Sequence, residues 1–176
     1  DVLNVDEKLL AVGISQRTQA AAIDVMAQNI FWNSDSKVER ILAFDIPVSR
    51  AFMHLDTVFT QVSEGECLCY APMILAGGAE EADVYSVDLT HDEITWTPER
   101  DFLSALKRRG LDLEPIPCGG SDPIDEQREQ WTDGANAFAV APGVIVCYDR
   151  NEKTAEELDR HGYEIVRDED LLLGRR

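Results

Sequence analysis

The chain has 176 residues, enough for one folded unit, and its apolar share of 44% allows a packed core. Its net charge of -18 sets it against phosphate-backbone and anionic-membrane binding, both of which need clustered Lys and Arg. Four cysteines, with Cys67 and Cys69 two residues apart, make neither a disulfide framework nor a zinc or redox spacing, so reduced thiols in a cytoplasmic protein are expected.

In chain order, Val2-Leu3-Asn4-Val5 opens as a short alternating strand, and the apolar run Leu9–Ile14 reads as a second. Thr18 is placed to cap a helix on which Ile23, Met26, Ala27, Ile30 and Phe31 recur at the spacing of one apolar face. Residues 38–44 then read as a buried strand. The second unit starts with β-rich stretches at 57–62 and 67–71, split by the turn Ser63-Glu64-Gly65-Glu66. Residues 84–89 and 94–96 add strand signal within an insertion. Pro98 is expected at the first position of a helix carrying Phe102, Leu103 and Leu106, with Lys107-Arg108-Arg109 in its last turn and Gly110 at its end. A strand follows at 113–116.

In the third unit, strands at 137–141 and 144–148 meet at Pro142-Gly143. Asn151 is placed as the cap of a helix to about Arg160, Gly162 ends it, and Glu164-Ile165-Val166 is expected as the closing strand. The reading is therefore α/β, with about three strand-strand-helix-strand modules in one partial domain over 1–176, an arrangement that favours radial or stacked architecture.

Chemistry concentrates at a few places. Within Met53-His54-Leu55-Asp56-Thr57-Val58, an extended backbone would point His54 and Asp56 the same way, and a carboxylate near an imidazole supports proton transfer. The bland reading is a His–Asp pair satisfying a strand end. The polar stretch from Gln127 to Asn136 leads into the third unit's strands; its bland reading is a capped turn with Trp131 in the core. Arg17 sits just before the first helix, where a cation needs some other partner, such as a carboxylate. Cys118-Gly119-Gly120-Ser121 lacks the phosphate-loop pattern, and Asp122 would repel phosphate. His91 and His161 receive no role, and no metal-ligand spacing is present in the sequence.

Four stretches together resemble the arginine deiminases: Val12-Gly13-Ile14-Ser15-Gln16-Arg17-Thr18; Met53-His54-Leu55-Asp56-Thr57-Val58-Phe59; Arg128-Glu129-Gln130-Trp131-Thr132-Asp133-Gly134-Ala135-Asn136; and Ala141-Pro142-Gly143-Val144 with Tyr148-Asp149-Arg150-Asn151. The resemblance implies a five-bladed α/β propeller of the guanidine-modifying (pentein) class. It implies L-arginine as substrate, no cofactor, and a cysteine thiolate that attacks the guanidinium carbon. By motif, His54 would transfer protons, Asp56 would grip the guanidinium, Arg17 would bind the substrate carboxylate, and Asn136 would line the pocket. Asp1 corresponds to the last residue of the family's E-G-G-D motif. The preceding Glu, an earlier guanidinium-binding Asp and the nucleophilic Cys have no counterpart in the sequence, and Cys67, Cys69, Cys118 and Cys147 do not match the nucleophile's motif. The segment is expected to be inactive alone. The alternative is a non-enzymatic interaction or structural fragment of the same fold, self-associating through exposed blade faces into a homo-oligomer.

Overall fold

The computed structural model describes residues 1–88 and 93–174. The predicted end of one strand at Leu89, and His91, lie outside the described residues.

The fold is mixed α/β. The first unit is strand-strand-helix-strand: β1 (Val2–Asn4), β2 (Leu9–Ile14), α1 (Ala20–Asn33) and β3 (Arg40–Asp45). β1 pairs antiparallel with β2, and β2 pairs parallel with β3, so α1 is the crossover that a parallel pair requires. The predicted apolar face holds: Ile23 and Ala27 are buried, with Met26, Ile30 and Phe31 packed beside them. Thr18 does not cap α1. Gln19 occupies the cap position without a side-chain bond, because the Thr18 hydroxyl donates elsewhere, to Asp1.

The second unit repeats this pairing with β4 (Phe59–Gln61), β5 (Glu66–Cys69), α3 (Phe102–Lys107) and β8 (Glu114–Pro117). β4 and β5 run antiparallel, and β5 and β8 parallel. Its crossover also carries the short helix α2 (Ala71–Ile74) and the pair β6 (Val84–Asp88) and β7 (Thr95–Pro98). These two strands join the first unit's sheet instead, whose order is β1-β2-β3-β6-β7. Pro98 thus ends a strand. α3 starts later, capped by Asp101, whose carboxylate accepts from Ser104 N at 2.7 Å. The graft is fastened by Arg109 of the loop after α3, whose guanidinium donates to Ser86 Oγ on β6 and to Glu99.

The third unit has α4 (Pro123–Gln130), β9 (Phe138–Ala141), β10 (Val144–Val146) and α5 (Glu152–Arg160), followed by α6 (Asp168–Leu172). Helix α4 stands where the sequence reading had a capped turn; Asp122 caps it and Pro123 takes its first turn. The expected closing strand at 164–166 is not formed; that stretch has no regular structure, and Ile165 and Val166 are exposed. A strand exists only with a partner, and β10 pairs with β9 alone. Phe138, Val140, Val144 and Val146 are exposed as well, so this hairpin is not the core hairpin its composition implies.

The main core lies between the two larger sheets and contains Phe44, Phe59, Tyr70 and Phe102. Cys67, Cys69 and Cys118 are fully buried beside it. The Glu126 carboxyl adjoins these thiols, and its pKa is raised, first by burial and then by the charge of Glu80. A carboxyl whose folded-state pKa is raised binds its proton more tightly when folded. Stability from this group is therefore present in acid and lost as pH rises through the ordinary glutamate value of about 4.3 towards the raised one. Glu126→Gln is accordingly expected to raise the urea midpoint near neutral pH, and to leave it unchanged below about pH 4. An equal gain at both pH values would refute this.

Candidate active site

Hydrogen bonds join the four sequence stretches singled out above in series. Arg17 lies in the turn between β2 and α1. Its Nη1 is 2.9 Å from His54 Nε2. A guanidinium only donates, so Nε2 is the acceptor and His54 carries its proton on Nδ1. That nitrogen faces Asp1 Oδ1 at 3.2 Å. The other oxygen of Asp1 accepts from Ser15 Oγ at 3.0 Å and Thr18 Oγ1 at 2.7 Å. Asp1 is thus a nearly buried carboxylate, with 7% of its side chain exposed, that fixes both the ring and the tautomer of His54. The Nε2 lone pair of His54 is thereby set against a planar cation.

Gly13 lies at this approach. A methyl group added there would lie 2.8 Å from Ile46 Cδ1 and 3.3 Å from both Asp1 Oδ1 and Leu55 Cβ. The lack of a side chain at position 13 therefore eases the close approach of the end of β2 to Asp1 and the histidine turn, where a methyl would have to displace the tip of Ile46.

Asp56 does not follow His54 along an extended backbone. His54 is extended, but Leu55–Thr57 forms a 3-10 turn, and Thr57 N donates to His54 O. The alternation argument for a common face therefore fails, because a helical turn carries successive side chains around its axis. Leu55 turns into the core, and Asp56 meets a different partner. Asn136 Nδ2 donates to Asp56 O at 3.0 Å and to Asp56 Oδ2 at 3.2 Å. The predicted site residues thus fall into two pairs, Arg17 with His54 and Asp56 with Asn136, held on one turn. Asp56 and Asn136 line a cleft of about 540 Å³ with Leu3, Phe59 and Leu106, and neither His54 nor Arg17 lines it.

The third stretch continues into the fourth. Thr132 Oγ1 donates to Asn151 Oδ1 at 2.5 Å, and Asn151 Nδ2 donates to Thr132 O at 3.0 Å. Arg150 pairs with Asp133, a residue in the left-handed region at φ 59°, and lies over the Tyr148 ring. Trp131 is exposed, not in the core.

The sequence reading omitted Asp1, Ser15 and Thr18 as parts of the site, as well as Glu129 and Gln130. Asp1 was marked only as the end of the E-G-G-D motif and the others only as polar residues inside the matching stretches, and nothing local showed that they turn inward. Cys118 is enclosed, and burial raises the pKa of its thiol, with Glu126 and Glu129 adding to the effect. Cys69 is likewise raised, first by its bond to Cys67 and then by burial. Such thiols are inert as nucleophiles. Among the described residues no group of three or more His, Cys, Asp or Glu side chains is placed to hold a metal ion, and no helix is long and apolar enough to cross a membrane.

Comparison with known proteins identifies the family. The arginine deiminase family model matches residues 1–175. An arginine deiminase of Bacillus cereus (strain B4264) is 42% identical over 170 residues, an alignment covering 94% of this chain and 41% of the relative. One from Treponema denticola is 39% identical over 175 residues, covering 94% and 40% respectively, and one from Clostridium perfringens is 41% identical over 168 residues with the same coverage. The chain thus spans about two fifths of the length of these relatives. By the family match and by these relatives, the chain belongs to the arginine deiminase family.

Proposed function

We propose that these 176 residues are part of an arginine deiminase that hydrolyses L-arginine to L-citrulline and ammonia. The supporting observation is the hydrogen-bonded series from Arg17 through His54, Asp56 and Asn136 to Asn151, which uses all four matching stretches. In this reading a cysteine thiolate attacks the guanidinium carbon, ammonia leaves, and water hydrolyses the amidino-enzyme. His54 takes and returns the protons at Nε2. Asp56 holds the guanidinium N–H groups by charge-assisted bonds. Arg17 leaves His54 Nε2 for the substrate carboxylate, and Asn136 steadies Asp56 at the cleft. The two complete units and the β9–β10–α5 unit are blades of an α/β propeller. The free buried thiols fit a cytoplasmic protein.

Cys67, Cys69 and Cys118 are enclosed, and nothing activates the exposed Cys147, so the attacking thiolate is supplied by residues other than these, and this segment does not turn over alone. The test is L-arginine titrated into the 15N-labelled chain, with a citrulline assay alongside. Shifts at His54 and Asp56 without citrulline are the expected result. Robust citrulline release would overturn the inactivity. No shift at any concentration would overturn the substrate assignment.

The second reading, a self-associating fragment without chemistry, is favoured by one observation: Phe138, at 71% exposure, heads an apolar hairpin open to solvent. Light scattering decides it. A clean monomer over a wide concentration range counts against self-association.

A further inference from the structure

Residues 46–58, which carry His54 and Asp56, contain only one isolated bridge (Ser49 with Phe52) and the 3-10 turn. No strand ladder fixes their position. Main-chain carbonyls in such a segment still need donors when buried, and for two of them the donor is a single side chain. Gln130, the last residue of α4, is 2% exposed. Its Nε2 donates to Thr57 O at 2.9 Å and to Ala51 O at 3.2 Å. These carbonyls lie on either side of His54 and Asp56. Its Oε1 accepts from Cys118 Sγ at 3.7 Å.

We propose that Gln130 is the positioning residue of this site: its buried amide, oriented by the Cys118 thiol, clamps both ends of the segment that presents His54 and Asp56. The proposal rests on the reading of those two residues as the substrate-handling groups. Both amide hydrogens are used, and the amide oxygen accepts from the thiol. Leu or Met would leave two carbonyls without a donor, Glu would set a carboxylate against them, and Asn is a methylene too short. Burial keeps the Cys118 thiol protonated, so its S–H remains a donor to Oε1 and both amide hydrogens are left for the segment. Asn136, six residues on from Gln130, grips the same turn at Asp56, so one sequence stretch holds it at three carbonyls: Ala51, Asp56 and Thr57. This gives the buried Cys118, which has no place as a nucleophile, a defined part.

The test uses the 176-residue chain and Gln130→Leu, with Leu158→Ala as a control that removes core packing on α5. Amide exchange at Thr57 and Val58 and the ring 15N signals of His54 are read by NMR. Gln130→Leu is expected to speed exchange at those two amides about tenfold beyond any global change, the scale of one or two lost buried hydrogen bonds. It is also expected to average the two distinct His54 nitrogens. Leu158→Ala should lower the melting temperature without averaging them. If Gln130→Leu does not fold, Cys118→Ala, which removes only the orienting S–H, is expected to move the same signals in the same direction. Unchanged turn amides and His54 nitrogens in the folded variant would overturn the proposal. Added L-arginine is a separate arm: its failure to shift His54 in the parent chain would defeat the functional reading, while the exchange data would still decide the clamp.

Discussion

Glu129→Ala is expected to destabilise the chain by about 3 kcal/mol or more in urea, because it strips a buried helix start of its carboxylate cap. Glu129 is 1% exposed. One of its oxygens accepts from Lys153 N at 2.8 Å. The other accepts from Thr154 N and Thr154 Oγ1, each at 2.8 Å. These are the first-turn N–H groups of α5, which no intrahelical carbonyl can satisfy. Thr154 Oγ1 in turn accepts from Gly119 N at 2.9 Å, so the carboxylate also fixes the loop after β8. Each buried donor left unmade costs about 1–3 kcal/mol. Glu129→Gln keeps the shape but turns an NH2 towards one pair of donors, so it should fall between the parent and the alanine variant. A cost below about 1 kcal/mol for the alanine variant would mean that water replaces the carboxylate and that the cap is dispensable.

The same helix shows what the sequence could and could not reveal. The extent of α5 was legible, because Asn151 and Gly162 bracket it. Its cap was not. Asn151 stands at the cap position, but its side chain is engaged by Thr132, and the capping carboxylate comes from the preceding helix. Local patterns carry local information, and this contact spans the loop and hairpin between. The first unit was legible in its elements, though not in the cap of α1, since α1 and the flanking strands pack on one another and their periodicities report burial directly. The β6–β7 pair was legible as strands, but its place beside β3 was not; pairing across units is set by which edge is free. The strand expected at 164–166 is not formed although Ile165 and Val166 suit one: composition marks strand propensity, and pairing with β10, which bonds to β9 alone, is a separate matter.

For the site, residue identity was more legible than geometry. His54, Asp56, Arg17 and Asn136 were singled out by their motifs, and they do meet in pairs. The extended backbone assumed for His54 and Asp56 was wrong, because residues Leu55–Thr57 coil into a 3-10 turn that buries Leu55. Alternation along a strand cannot be assumed where a segment enters a strand. What holds the turn is a set of side-chain to main-chain bonds from far along the chain, and no periodicity announces those.

Phe102→Ala is expected to cost about 3–5 kcal/mol, the range for truncating a buried aromatic. That is a large part of the 5–15 kcal/mol typical of a folded domain. Phe102 begins α3, and its ring meets Phe44 of β3 edge-on at 5.2 Å and Phe59 of β4 at 5.0 Å. Each such pair adds about 0.5–1.5 kcal/mol to the area buried. The two neighbours belong to different sheets, so this ring is where the first unit is fastened to the second. The fastening bears on the site, since Arg17 and Asp1 belong to the first unit, while His54 and Asp56 sit on the approach to β4. Phe102→Leu should recover about half of the lost stability by refilling part of the volume. In the alanine variant, at a temperature where it remains folded, the contact between His54 and Asp1 should weaken before the pairing of β2 with β3 does. Its ring nitrogens, read by 15N NMR, would then average while the amides of Ala11 and Leu42 stay protected. If those sheet amides are lost together with the His54 signature, the two units unfold as one body and the ring is not a separable fastening between them.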